Sequence, residues 1–201
     1  MNNKLEQNPA RPEGEGGEEM LNRMNSSHKP LRDWGLSLLE WKPGLRILDI
    51  GCGGGATIAD MLELSRDSFV DGVDYAEKSV EMSRKMNEKH LGKRCRIVQG
   101  DVQALPYEDE TFDLITAVET VYFWPDMVNA LKEVHRVTKE GGIFAILSEA
   151  CEPGDHSWGE IQEHMTIYRP QELIEMLEKA GFHDVKAYRG EGEYLTVTGK
   201  K

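Results

Sequence analysis

Residues 47–56 read Ile47-Leu48-Asp49-Ile50-Gly51-Cys52-Gly53-Gly54-Gly55-Ala56. A short β-rich run, residues 46–50, passes into four glycines within five residues and then into a helical pattern that begins at Ala56. So many glycines weaken a helix start, and what they offer in return is close backbone approach to a ligand without side-chain clash. A turn of this kind, between the C-terminal end of a strand and the start of a helix, is where an open α/β sheet receives a nucleotide-bearing ligand. Gly51, Gly53 and Ala56 also satisfy the dinucleotide pattern GxGxxA, so the loop by itself leaves the cofactor open.

Outward from this loop the chain alternates strand and helix. A helix is predicted over residues 56–65, a strand over 69–74, an amphipathic helix over 76–90, strands over 96–99 and 112–118, a helix over 126–137 and a strand over 142–148. That beat predicts a doubly wound, mostly parallel sheet with helices on both faces. The ending breaks the rhythm. A helix over 170–180, closed by Gly181, is followed by strands over 185–189 and 194–198, joined only by the residues around Gly190-Glu191-Gly192. So short a connection makes an antiparallel pair, because parallel neighbours need a crossover. The expected architecture is therefore a seven-stranded α/β sheet with an antiparallel C-terminal strand.

Three acids stand at strand ends. Asp74 closes the second strand, 19 residues after Gly55, where a carboxylate accepts both hydroxyls of a ribose. Asp49, two residues before the first glycine, suits a cationic ammonium better than a pyrophosphate. Gly100-Asp101 follows the third strand, where an acceptor takes an adenine amino proton. Together they favour an adenosine ligand without a second nucleotide.

The charge balance narrows the partners. Against 24 Lys and Arg stand 36 Asp and Glu, a net charge of -12, which disfavours nucleic acid as a partner. The one basic cluster, Arg84 to Arg96, reads as a solvated helix face. Cys52, Cys95 and Cys151 form neither a disulfide framework nor a zinc pattern, no apolar run is long enough to cross a membrane, and residues 1–19 lack the apolar core of a signal peptide. A cytoplasmic protein without membrane partners is expected, either a monomer or a homodimer. Residues 1–19 read as a disordered acidic tail, 20–44 as an N-terminal helical lid and 45–201 as the main domain.

The blocks ILDIGCGGG, VDGVDYAEKSV, GDVQALPYEDETFDLITA and ALKEVHRVTKEGGIFAI, in this order, give the chain from about Leu45 to Thr198 a specific likeness. It resembles the class I S-adenosylmethionine-dependent methyltransferases, in particular the small-molecule branch that includes the quinone-biosynthesis enzymes. The resemblance implies a Rossmann-like fold, S-adenosyl-L-methionine as methyl donor and a small-molecule acceptor. It further implies that Asp49, Gly51, Gly53 and Gly55 hold the methionine end, that Asp74 holds the ribose, and that Asp101 and Val102 frame the adenine. Tyr75 and Val118 complete the implied donor site. The chain departs from the family in having Lys139-Glu140-Gly141-Gly142 where a proline is usual, and it lacks the Asn-Pro-Pro-Tyr type motif of many amino-nitrogen methylases after the fourth strand.

A sulfonium methyl is strongly activated, so the acceptor side needs chiefly an aligned, desolvated nucleophile, with a base for a phenol or carbon acid. His28 in the lid and Glu119 and Tyr122 after the fourth strand are the catalytic candidates, and Trp34, Tyr122, Phe123 and Trp124 are candidate pocket walls. His156, His164 and Tyr168, in and after the loop that follows the fifth strand, are the substrate-binding candidates. Asp155, His156 and His164 lack a metal-binding spacing such as HExxH, so no metal is expected. Two other classes remain at this point: an NAD(P)-dependent oxidoreductase, allowed by the glycine pattern and Asp74, and a non-catalytic partner protein built on the same fold.

Overall fold

The computed structural model of the chain describes residues 8–149 and 165–201. Its sheet carries β1 (Arg46–Ile50), β2 (Phe69–Asp74), β3 (Cys95–Gln99), β4 (Phe112–Val118), β5 (Thr138–Ser148), β6 (His183–Arg189) and β7 (Leu195–Lys200). The seven strands lie in the order β3-β2-β1-β4-β5-β7-β6. β1 to β5 run parallel, and β7 inserts between β5 and β6 antiparallel to both. This is the doubly wound α/β sheet with an antiparallel C-terminal strand that the strand and helix alternation predicts. The helices are α1 (Gly14–Ser27), α2 (Lys29–Ser37), α3 (Ala56–Leu64), α4 (Glu77–Met86), α5 (Met127–Val137) and α6 (Pro170–Lys179).

Side chains alternate across each strand and so feed two cores. On one face Leu48, Ile115, Phe144 and Ile146 are buried with Leu131 and Val134 of α5 and Leu173 and Leu177 of α6. On the other face Ile47, Leu114 and Leu147 are buried with Leu31 and Leu36 of α2, Ile58 and Met61 of α3 and Val80 of α4. Each large aliphatic side chain removed from water contributes roughly 1.5–3 kcal/mol, and both layers contain many. Asp71 of β2 is fully buried, and its two oxygens meet Arg46 Nη2 at 2.7 Å and Arg96 Nε at 2.6 Å.

The sheet also places the crevice. β1 pairs with β2 on one side and β4 on the other, and the connections from these strands leave to opposite faces. The C-terminal ends of β1 and β4 are therefore the topological switch point, where open α/β sheets take their ligands.

Three expectations change. α1 begins at Gly14, inside the stretch read as a disordered tail, because Gly17 packs directly on buried Pro12; a Cβ there would lie 2.7 Å from the Pro12 carbonyl carbon. The basic cluster is not simply a solvated face: Arg84 donates to the carbonyl of Ile97, and Arg94 to the carbonyls of Leu62, Ser65 and Ser68. β5 starts at Thr138 rather than Gly142, with a register shift that absorbs the Glu140-Gly141-Gly142 turn into the strand. Among the described residues no helix is long and apolar enough to cross a membrane.

Candidate functional site

A cavity of about 410 Å³ opens at the switch point. The glycine loop, the ends of β2 and β4 and the turn after β3 form its floor, while α1, His28 and residues 8–11 supply the opposite wall.

The loop owes its shape to backbone bonds that only this arrangement allows. Gly51 N–H donates to Val73 O at 2.8 Å and Cys52 N–H to the same carbonyl at 3.2 Å, which pins the end of β1 to β2. Gly51 has φ +71° and Gly53 φ +50°, the left-handed region that favours glycine. The two differ in surroundings. A Cβ at Gly51 would meet Thr120 Oγ1 at 2.1 Å, so the protein itself fills that space, whereas the nearest atom to a Cβ at Gly53 is Leu21 Cδ2 at 3.8 Å. Close approach is left open at Gly53, on the cavity side. Gly55 does not line the cavity: it precedes α3, and Ser83 and Asn87 of the α4 region pack on it.

Asp74 faces the same cavity. Its Oδ2 accepts the Gly53 N–H at 2.8 Å and its Oδ1 the Ala76 N–H at 2.9 Å, and burial raises its pKa despite these bonds. Tyr75, largely exposed, lies beyond it with the Arg11 guanidinium 5.7 Å from the ring centroid. Asp101 forms a tight turn, its Oδ1 accepting the Gln103 N–H at 2.9 Å, and Asp101, Val102 and Val118 all line the cavity.

Asp49 lies elsewhere. The two-residue period of β1 sends its side chain to the face covered by α3, where Oδ1 accepts the Thr116 hydroxyl at 2.7 Å. Its Oδ2 is buried with no hydrogen-bond partner, and burial pushes the carboxyl up to about 7.

At the other end of the cavity, His28, the residue between α1 and α2, brings Nε2 to 3.9 Å from Glu119 Oε2. Glu119 follows β4 with φ +54°, a conformation uncommon outside glycine, and its Oε1 accepts hydrogen bonds from the Tyr122 hydroxyl at 2.8 Å and from the Glu149 N–H. Burial, helped by the nearby Glu149 charge, raises Glu119 to about 8. Burial and then the charges of Arg32 and Arg23 lower His28 to about 4. At neutral pH this contact thus joins a neutral imidazole to a protonated carboxyl and is not an ion pair.

Phe123 and Trp124 line the cavity, while Tyr122 is buried beside it and Trp34 packs on Tyr194, 6.0 Å between centroids and away from the site. Tyr168 is half-buried against the α5 and α6 core and does not line the cavity. His156 and His164 lie outside the described residues. Asn25, Thr120 and Arg11 line the cavity without any sequence signal, since only the fold brings them there. Glu149 had one: it follows β5 as Asp74 closes β2 and Glu119 follows β4, at the same edge of the sheet.

A family model described as a methyltransferase domain matches residues 41–193, most of the chain. The chain belongs to the methyltransferase-domain family. This methyltransferase domain is 29% identical over 206 residues to the demethylmenaquinone methyltransferase of Alkalihalophilus pseudofirmus, with 86% of each chain covered. It is 29% identical over 153 residues to cycloartenol-C-24-methyltransferase 1 of Oryza sativa subsp. japonica, covering 70% of this chain and 44% of that one. The domain spans about half the length of several curated relatives that it matches. Its fold superposes on a SAM-dependent methyltransferase from Aquifex aeolicus with a TM-score of 0.74 at 21% identity, covering 90% of this chain and 96% of that one.

Proposed function

We propose that this methyltransferase domain moves a methyl group from S-adenosyl-L-methionine to a small-molecule acceptor by in-line displacement. The observation that carries the reading is the convergence, in one cavity, of an open glycine at position 53 with the carboxylates of Asp74 and Asp101. The volume of about 410 Å³ is in the range of small-molecule and cofactor sites.

The donor fits the residues present. A carboxylate has about four acceptor positions, so Asp74 keeps capacity for ribose hydroxyls after holding Gly53 and Ala76. Asp101 and Val102 frame the adenine, with Tyr75 and Val118 beside it. Gly51 and Gly53 carry the methionine end, and Asp49, behind the loop rather than in the cavity, adds a negative charge for the ammonium when it is ionised. Gly55 serves indirectly, by seating α3. The donor supplies an activated methyl group; the chain's own part is to orient the acceptor, exclude water and manage its proton.

His28, Glu119 and Tyr122 occupy the acceptor end. Tyr122 holds Glu119 in place, and His28, whose burial-lowered pKa makes it a weak base, is suited to accept a hydrogen bond and orient the acceptor. Met24, Phe123 and Trp124 form an apolar wall there, which suits an apolar or aromatic acceptor. The reading carries with it a cytoplasmic monomer or homodimer, and the net charge of -12 supports the absence of nucleic-acid partners.

Isothermal titration with S-adenosylhomocysteine, S-adenosylmethionine and NADH in parallel tests it. Binding of the first two without heat from NADH is expected. Binding of NADH alone would replace the reading with hydride transfer.

A further inference from the structure

We propose that His28, Glu119 and Glu149 form a binding site for one divalent cation of the Mn²⁺ or Zn²⁺ type at the acceptor end of the cavity. The site rests on the proposed methyl-transfer reading only for its use, not for its existence. Each residue offers one ligand atom, and the three atoms lie within 4.8 Å of one another. They come from three separate elements: the α1–α2 junction, the end of β4 and the end of β5.

The fold builds this convergence. β4 and β5 pair in parallel with Val118 opposite Leu147, and Glu119 N–H donates to Leu147 O at 2.9 Å. The Glu149 N–H in turn donates to Glu119 Oε1. That bond and the Tyr122 hydroxyl engage Oε1 alone. Glu119 Oε2 faces His28 Nε2 at 3.9 Å, and the Glu119 side chain is only 6% exposed. Bonds of roughly 2.1 Å to one ion place donor atoms about 3–4 Å apart, so this pair already stands at a suitable separation.

No Lys or Arg among the described residues forms an ion pair with either carboxyl. Arg32, the buried cation of the lid, is engaged by Asp60 Oδ2 at 3.0 Å and by the carbonyl of Asn25 at 2.8 Å. Two carboxyls and an imidazole therefore meet at a largely buried point where no described Lys or Arg pairs with either carboxyl, and a divalent ion would bind there in exchange for their protons. An imidazole with two carboxylates suits first-row divalent ions, and three protein ligands leave a coordination position free. His28 and Glu119 both line the cavity, so that position is open to an oxygen of the acceptor.

The test is titration of the full chain with Mn²⁺ alone, followed by the loss of the free-ion signal in electron paramagnetic resonance. One bound ion per chain is expected, with affinity falling at least about tenfold in Glu119→Gln and again in Glu149→Gln. Both variants should keep the parent chain's circular dichroism spectrum and cooperative thermal unfolding, which separates ligand loss from misfolding. No uptake at about 1 mM Mn²⁺, or uptake that neither substitution changes, would overturn the site. A failure of S-adenosylhomocysteine to bind the parent chain would count against the proposed donor, and the Mn²⁺ readout would stand apart from it.

Discussion

Asp74 Oδ2 accepts the Gly53 N–H at 2.8 Å, so the acid that closes β2 also holds the one loop glycine left open to the cavity. On the proposed reading, donor recognition and loop shape depend on the same carboxylate. Asp74→Asn keeps a side-chain acceptor for one of the two backbone donors but loses the charge. Hydrogen bonds to a charged group contribute about 1.5–3 kcal/mol each. The substitution should weaken S-adenosylhomocysteine binding about 10- to 100-fold by calorimetry while thermal unfolding stays cooperative. Unchanged affinity would remove Asp74 from the ribose role.

Gly51 is required for a different reason, its contact with Thr120. A Cβ at Gly51 would lie 2.1 Å from Thr120 Oγ1 and 2.7 Å from Thr120 Cβ, and φ is +71°. Gly51→Ala should cost about 2–4 kcal/mol, combining left-handed strain with overpacking. Adding Thr120→Gly should recover the steric share and leave the backbone share. Denaturant unfolding of the two single variants and the double variant measures this as a coupling energy, and simple additivity would show that the two residues do not meet.

Asp49 gives folding stability a pH dependence. Its folded carboxyl is raised to about 7 from an ordinary value of 3.8, so the folded chain holds the proton more tightly than the unfolded one. This contribution to stability is full below the unfolded value, declines as pH rises from about 4 to 7 and is gone above that. Relative to Asp49→Asn, the parent chain should therefore lose stability between about pH 4 and 7. If the ionised carboxyl holds the donor's ammonium, affinity for S-adenosylhomocysteine should fall by up to about tenfold per pH unit below 7 in the parent and stay flatter in Asp49→Asn. Parallel pH profiles of the two chains would discard this role for Asp49.

The fold was legible because the signals that specify it are local. The bounds of β2 and β4 coincide with the apolar runs that predict them, and the short link around Gly190-Glu191-Gly192 dictated the antiparallel ending. What escaped depends on contacts between distant residues. Nothing in the sequence says that Gly17 packs on Pro12, so residues 14–19 read as tail although they form the start of α1. Arg94 looks like a surface cation until the carbonyls of Leu62, Ser65 and Ser68 are found around it. Gly53, Asp74, Tyr75, Asp101, Val102 and Val118, which the family resemblance implies for the donor, meet in the cavity because each stands at or just beyond a strand end. His28 and Glu119 meet only once α1 and α2 are folded over the sheet, and Trp34 packs instead on Tyr194.

Residues 8–11 border the cavity, which their composition did not signal. Asn8, Pro9, Ala10 and Arg11 line the cavity, and Arg11 lies over the ring of Tyr75 at 5.7 Å. An exposed cation–π contact contributes about 0.5–1 kcal/mol, so Arg11→Ala should weaken S-adenosylhomocysteine binding about two- to fivefold if Tyr75 flanks the adenine. Deleting residues 1–11 should weaken it further, because the whole segment is then lost from the cavity wall. The deletion stops short of Pro12, which Gly17 needs, and of Glu13, which precedes the first turn of α1, so helix content by circular dichroism should not otherwise change. Equal donor affinity in the deleted and full chains, with α1 intact, would show that these residues border the cavity without closing it.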